Sequence, residues 1–217
     1  MKLFKKILGV FIGTLILGLG VALCKTAALG QDPLSAAIFS IVYLFDELLP
    51  YSVWYIIVNS IFLLFMILFL KKKINLGTLM GLVFIGIFSD MFCLIFTHIN
   101  FIPINFIVRL LISILGIFVT CLGIAFYGSA NLGLSPYDAI SVIISNAFKK
   151  IKFQYARIIC DVTCTLIALI VGVIILKRSD LININTIICF IISGPLITFF
   201  SKLSIKYYYK EENNDFN

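Results

Sequence analysis

The stretch Leu19 to Ala36, LGVALCKTAALGQDPLSA, returns 103 positions later as Leu122 to Ala139, LGIAFYGSANLGLSPYDA. Eight of the eighteen positions are identical, among them Gly20/Gly123, Gly30/Gly133 and Pro33/Pro136. Gly and Pro fix backbone shape, so their recurrence is not a by-product of a chain rich in Leu, Ile and Phe. A sequence that repeats such a segment is constrained to fold as two like halves. In a membrane protein, a duplicated hydrophobic segment interrupted by Gly and Pro points to a binding or transport site at the repeat interface.

The chain is 62% apolar and 12% charged, with mean hydropathy +1.15, whereas soluble domains carry about 25% charged residues. Runs of the ~20 apolar residues needed to cross ~30 Å of hydrocarbon lie at 7–27, 51–70, 75–96, 105–127, 155–176 and 182–203. Two shorter apolar stretches, 34–45 and 137–148, cannot span and read as re-entrant or interfacial helices. Positive charge supports six spans. With the N-terminus in the cytoplasm, thirteen of the seventeen basic residues fall inside: Lys2, Lys5 and Lys6, Lys71 to Lys73, Lys149 to Arg157, and Lys202, Lys206 and Lys210. Only Lys25, Arg109, Lys177 and Arg178 fall outside, a strong positive-inside bias. The net charge of +7 then describes a basic rim facing anionic lipid, and nucleic acid is not an expected partner. Leu23, before Cys24, is not the small residue a signal cleavage site needs, so the first span is expected to be retained. The six cysteines lie in or beside apolar spans, indicating neither a disulfide framework nor a metal site.

The repeat extends further. Ile74-Asn75-Leu76-Gly77-Thr78 matches Ile182-Asn183-Ile184-Asn185-Thr186, and Gly86 falls on Gly194. The fold class expected is an all-α membrane protein: six transmembrane helices as two three-span repeats, 1–104 and 105–209, each with its short Gly/Pro-interrupted helix, followed by a disordered cytoplasmic tail, 210–217. Three spans per half is an odd number, so the two copies must be inverted relative to one another.

Within LGQDPLSAA, Leu29-Gly30 is expected to close the first helix through a left-handed residue, with Asp32 as N-cap and Pro33 as the first helical residue of the next. In the second copy Ser135 caps, Pro136 starts the helix, and Asp138 completes an S-x-x-D box. A helix start inside the membrane would offer free N–H groups and a positive dipole end to an anion. Alternatively, the carboxylates simply satisfy those N–H groups. Charged groups within spans are costly unless paired or wet, which singles out Asp161, with Arg157 at i,i−4, and Asn59 at matching depth in the other half. Interhelical hydrogen bonding that holds the bundle together is the other account of this pair. Asp90 and Lys25 either line the outer mouth or snorkel to it, and His98 belongs to an outer loop. Tyr51, Trp54, Tyr55 and Tyr155 occupy positions suited to interfacial aromatic belts. No catalytic motif appears.

The twin signatures Ala27-x-Leu29-Gly30-x-x-Pro33-x-x-Ala36 and Ala130-x-Leu132-Gly133-x-x-Pro136-x-x-Ala139, with Lys6 and Arg109 opening the two halves, resemble the YczE/YitT-like family of small bacterial integral membrane proteins. The resemblance covers nearly the whole chain. It includes Pro136-Tyr137-Asp138, close to the family's Pro-aromatic-Asp pattern, while Pro33-Leu34-Ser35 departs from it. It implies this architecture and a bacterial inner-membrane location with both termini cytoplasmic. Together these features predict a small-solute transporter or permease with Asp32, Pro33, Ser35, Asn59, Ser135, Pro136, Asp138 and Asp161 nearest the ligand. The alternatives are a substrate-binding subunit of a larger transporter and a non-transporting accessory or regulatory protein. Expected partners are the lipid bilayer, a small-molecule or ion ligand, and either further copies of the chain or an energising subunit. No cofactor, metal or catalysis is expected.

Overall fold

The computed structural model describes residues 2–101, 105–148, 153–178 and 180–208, and every regular element among them is helical. In chain order these are α1 (Lys2–Ala27), α2 (Pro33–Leu44), α3 (Tyr51–Phe69), α4 (Leu76–His98), α5 (Phe106–Ser129), α6 (Pro136–Ala147), α7 (Phe153–Ala168) and α8 (Ile184–Tyr207). A π-helical stretch, Leu169–Ile175, extends α7, and a short 3-10 turn, Lys71–Lys73, precedes α4. Six helices are long and apolar enough to cross a membrane: Leu3–Ala27, Tyr51–Phe69, Leu76–His98, Phe106–Ser129, Tyr155–Ile175 and Ile184–Lys206. They are the six spans expected, with ends shifted by a few residues. The tail 210–217 and Lys149, Lys150 and Lys152 lie outside the described residues.

Helices α2 and α6 have 12 residues each, about 18 Å at 1.5 Å per residue, too short to span. Burial separates α2 from a lipid-facing helix. Nine of its twelve residues are buried, including Leu34, Ala37, Ile38 and Phe39, and it packs against α7 and α3. By contrast α3 buries only Tyr51, Tyr55, Asn59 and Met66, and presents Leu64, Leu68 and Phe69 outward. That is the stripe pattern of a helix whose remaining faces suit lipid.

The backbone of the bundle is the pair α1 and α5. Gly13 faces Tyr127, Leu17 faces Gly123, Gly20 faces Thr120 and Cys24 faces Gly116. Rising numbers in one helix meet falling numbers in the other, so the two run antiparallel. A Cβ on Gly123 would sit 2.5 Å from Leu17 N, and one on Gly13 2.6 Å from Tyr127 N. The helices therefore touch backbone to backbone, the approach that small residues permit in membranes. Gly86 and Gly194, matched in sequence, differ in packing. A Cβ on Gly86 would lie 2.8 Å from Ser52 Cα, whereas one on Gly194 would meet nothing within 4 Å.

Both interhelical loops dock on an element of the opposite half. Gly30 N donates to Asp180 O (3.0 Å), Gln31 N to Leu181 O (3.1 Å), and Asn185 N to Leu29 O (2.9 Å). Asn185 Nδ2 donates to Gly30 O and Thr186 Oγ1 to Gln31 O, each at 2.9 Å. The second loop mirrors this: Gly77 N donates to Leu132 O (2.9 Å), Leu134 N to Lys73 O (3.3 Å) and Thr78 Oγ1 to Leu134 O (2.9 Å). Each loop thus satisfies backbone groups that a helix start leaves unpaired. The glycines serve this docking and do not close the helices. Gly30 (φ 104°) and Gly133 (φ 110°) occupy positive-φ positions where a Cβ would crowd Thr186 Oγ1 and Thr78 Oγ1. The helix ends are instead turned by left-handed Ala28 (φ 51°) and Asn131 (φ 50°).

Candidate functional site

The first loop and α2 start as the residues dictate. Asp32 is the N-cap, its Oδ2 accepting from Ser35 N at 3.1 Å, and Pro33 is the first helical residue. The carboxylate therefore sits on the positive end of α2 and neutralises it. At α6 the outcome differs. Ser135 is the N-cap residue but its side chain makes no capping bond. The expected Ser135–Asp138 box does not form, because Asp138 turns to Arg157 of α7.

Arg157 is the hub. It contacts the Asp138 carboxylate through Nη1 and Asp161 Oδ1 through Nε at 3.4 Å. Its guanidinium lies 4.6 Å from the centroid of the Tyr137 ring, a cation–π distance. Tyr137 Oη in turn donates to Asp161 Oδ1 at 2.6 Å. The i,i+4 pair foreseen between Arg157 and Asp161 is present, and a third member, Asp138, joins from the neighbouring helix.

These groups face a partly open cavity of about 100 Å³ to which both halves contribute. Asp32, Pro33 and Ser35 line it from the first loop and α2; Ser135, Tyr137 and Asp138 from the second loop and α6; Arg157 and Asp161 from α7. Tyr51, Tyr55, Thr120, Tyr127 and Ser193 complete the polar wall, with Leu17, Val21, Ile85 and Ile117 as apolar lining. Of the eight residues singled out from sequence, six line this cavity and two, Pro136 and Asn59, do not. Asn59 is fully buried within the bundle, where its Nδ2 donates to Tyr55 O one turn back at 3.0 Å. It is not the partner of Asp161 across the cavity, since α3 presents Tyr51 and Tyr55 there instead.

Tyr51 and Tyr55 correct the aromatic-belt expectation. They are 2% and 5% exposed, and Tyr51 Oη lies 3.1 Å from Ser35 Oγ. Tyr51, Tyr55 and Asn59 follow one another at i,i+4 spacing on α3, so polar Asn59 was the signal that this stripe turns inward. Tyr137 carried a better signal, standing between Pro136 and Asp138 in the repeated motif. Asp90 does not reach this cavity; its Oδ2 accepts from Ser52 N at 2.8 Å and so caps α3. Lys25 places its Nζ 4.6 Å from the Phe39 ring centroid, and His98 is exposed in the last turn of α4.

Size and charge limit what the cavity can hold. Its volume is several times the ~10–15 Å³ needed for one water and below the ~300–1,000 Å³ of pockets for drug-sized ligands. It suits an ion or a solute of a few heavy atoms. Three carboxylates and one guanidinium face it, and no cluster fit to hold a metal ion occurs among the described residues.

Six membrane-length apolar helices around a cavity that carries ionisable side chains define a multi-pass membrane protein. More particularly, the chain belongs to the family described as "Family of unknown function (DUF6198)", whose pattern matches residues 4–202. It is also similar to the "Uncharacterized membrane protein YczE" of Bacillus subtilis (strain 168), with 30% identity over 136 residues, 62% of this chain. The match spans 60% of that relative's length. No solved structure matches the chain.

Proposed function

We propose that this protein carries a small solute across the cell membrane by alternating access between two inverted halves. The observation that carries this reading is the convergence of both Gly/Pro loops, with the Arg157 cluster, on one cavity between the halves. Antiparallel α1 and α5, the first helices of the two repeats, support the inversion, and so does the reciprocal docking of the loops. A site at an inverted-repeat interface can open to either side by rocking one half against the other. With α2 and α6 as re-entrant helices, each loop together with the helix start it docks on forms one gate. In this scheme the hydrogen bonds of each docked loop break when its gate opens. The positive-inside bias of the basic residues supports an orientation with both termini in the cytoplasm. We assign the protein no catalytic step.

The test is reconstitution into liposomes and measurement of solute flux against a panel of small cations, anions and neutral metabolites. Saturable flux of one class, lost when Arg157 or Asp161 is replaced, is the expected result. A folded, reconstituted protein that moves none of them, alone or with a co-purifying ATPase, would refute the carrier reading.

A further inference from the structure

We infer that the ligand of the central cavity is a small organic cation of the ammonium or guanidinium type, held by the Asp32 carboxylate beside the rings of Tyr51 and Tyr55. This rests on the reading of that cavity as the ligand site. The first ground is the balance of charge. Among the described residues Arg157 is the sole cationic side chain lining the cavity, and it is committed to Asp138 and Asp161. Even that triad keeps a formal charge of −1, and Asp32 adds another. Asp32 has no ion-pair partner among the described residues; it is held by neutral Ser35, whose N–H donates to Oδ2 and whose hydroxyl also bonds it. A carboxylate offset only by a helix end in a mostly apolar cavity is costly, and a cationic ligand removes that cost.

The aromatic lining selects the kind of cation. Tyr51 and Tyr55 are tilted against each other with centroids 5.7 Å apart, and Tyr127 adds a third ring. Ring faces attract organic cations, whereas a divalent metal wants several carboxylates, and two of the three here are taken by Arg157. An anion is disfavoured because the N-terminus of α2, its natural seat, already holds the Asp32 carboxylate.

The experiment measures binding to the full chain in lipid nanodiscs by isothermal titration calorimetry at constant ionic strength. Methylammonium, tetramethylammonium and methylguanidinium chloride are compared with sodium acetate and glycerol. Saturable binding of at least one organic cation is expected, with none for acetate or glycerol. Asp32→Asn and Asp32→Ser both keep an N-cap for α2, and each should weaken that binding by about tenfold or more, as loss of a charged hydrogen bond does. Saturable acetate or glycerol binding, no binding of any of the three cations, or unchanged affinity in both variants would overturn the inference. Should neither variant fold, the wild-type comparison of cation, anion and neutral probe still decides. If a cation binds but no solute moves in liposomes, the carrier reading fails and the cation site stands. If a neutral or anionic solute is carried and no cation binds, the carrier stands and this inference falls.

Discussion

Arg157 shared by two carboxylates makes an unequal set of single mutants. Removing one partner from a dry, isolated ion pair costs about 3–5 kcal/mol, since the other charge is stranded. Here Asp161→Asn leaves Arg157 still paired with Asp138, and Asp138→Asn leaves it paired with Asp161. The side chains are 28% (Arg157), 27% (Asp138) and 17% (Asp161) exposed, so the cavity screens part of the loss. Each carboxylate change should therefore cost only about 1–2 kcal/mol, near the value of one charged hydrogen bond. Arg157→Gln is different in kind. It strands two carboxylates beside one another, and should cost the full ~3–5 kcal/mol. The double variant Asp138→Asn with Asp161→Asn should exceed the sum of its singles, because only then is the guanidinium orphaned. Adding Arg157→Gln to that double should recover much of the loss. Thermal unfolding in detergent, followed by a thiol-reactive fluorophore, reads this directly because five of the six free cysteines are buried and become reactive on unfolding. An Arg157→Gln variant no less stable than Asp161→Asn, or strictly additive carboxylate singles, would refute the shared-hub account.

Topology is tested by single cysteines at Leu48, Ile99 and Lys72, all exposed positions: impermeant thiol reagents should label 48 and 99 on intact cells and 72 only after lysis. Arg109 donates from Nε to Ala27 O and from Nη2 to Ala28 O, both at 2.7 Å, so Arg109→Ala should lose about 1.5–3 kcal/mol in the same unfolding assay. Arg109→Lys should restore only part of it, since an ammonium lacks the planar fork. Gly123→Leu should push α1 from α5 through Leu17 and reduce the yield of folded protein in size-exclusion chromatography, while Gly194→Ala, at an open position, should leave it unchanged.

Much of the fold was legible because its determinants are local. Span length follows from apolar runs, and α2 and α6 begin at Pro33 and Pro136 because a proline there loses no helical hydrogen bond. The site was legible where the repeat marked it, at Asp32, Ser35, Ser135 and Asp138, and where a charge stood out against an apolar span, at Asp161. Choices made by tertiary contact were hidden. Whether Asp138 caps its own helix or reaches Arg157 depends on where α7 lies, and the inward stripe of α3 is marked by Asn59 more than by its tyrosines. Asn59 stood out for its polarity, yet Tyr55, its own backbone partner, is the residue that faces the cavity. The repeated Asn-x-x-Thr at Asn75 and Asn183 was visible as likeness but not as the pair of platforms on which the loops rest.

The reciprocal docking also sets an order of assembly. The clasp that fixes Leu132–Leu134 joins residues about fifty-six apart in the chain, whereas the one that fixes Leu29–Gln31 joins residues 155 apart. A chain made from its N-terminus can close the former as soon as α5 is complete. The latter must wait until Asn185 and Thr186 emerge, so the first loop written is the last one secured. Until then Gly30 and Gln31 hold carbonyls with no partner, and a ribosome stalled before residue 183 would leave α2 seated on an unfinished wall. Of the two clasps, the one on the first loop is therefore the later to close, and the start of α8 closes it.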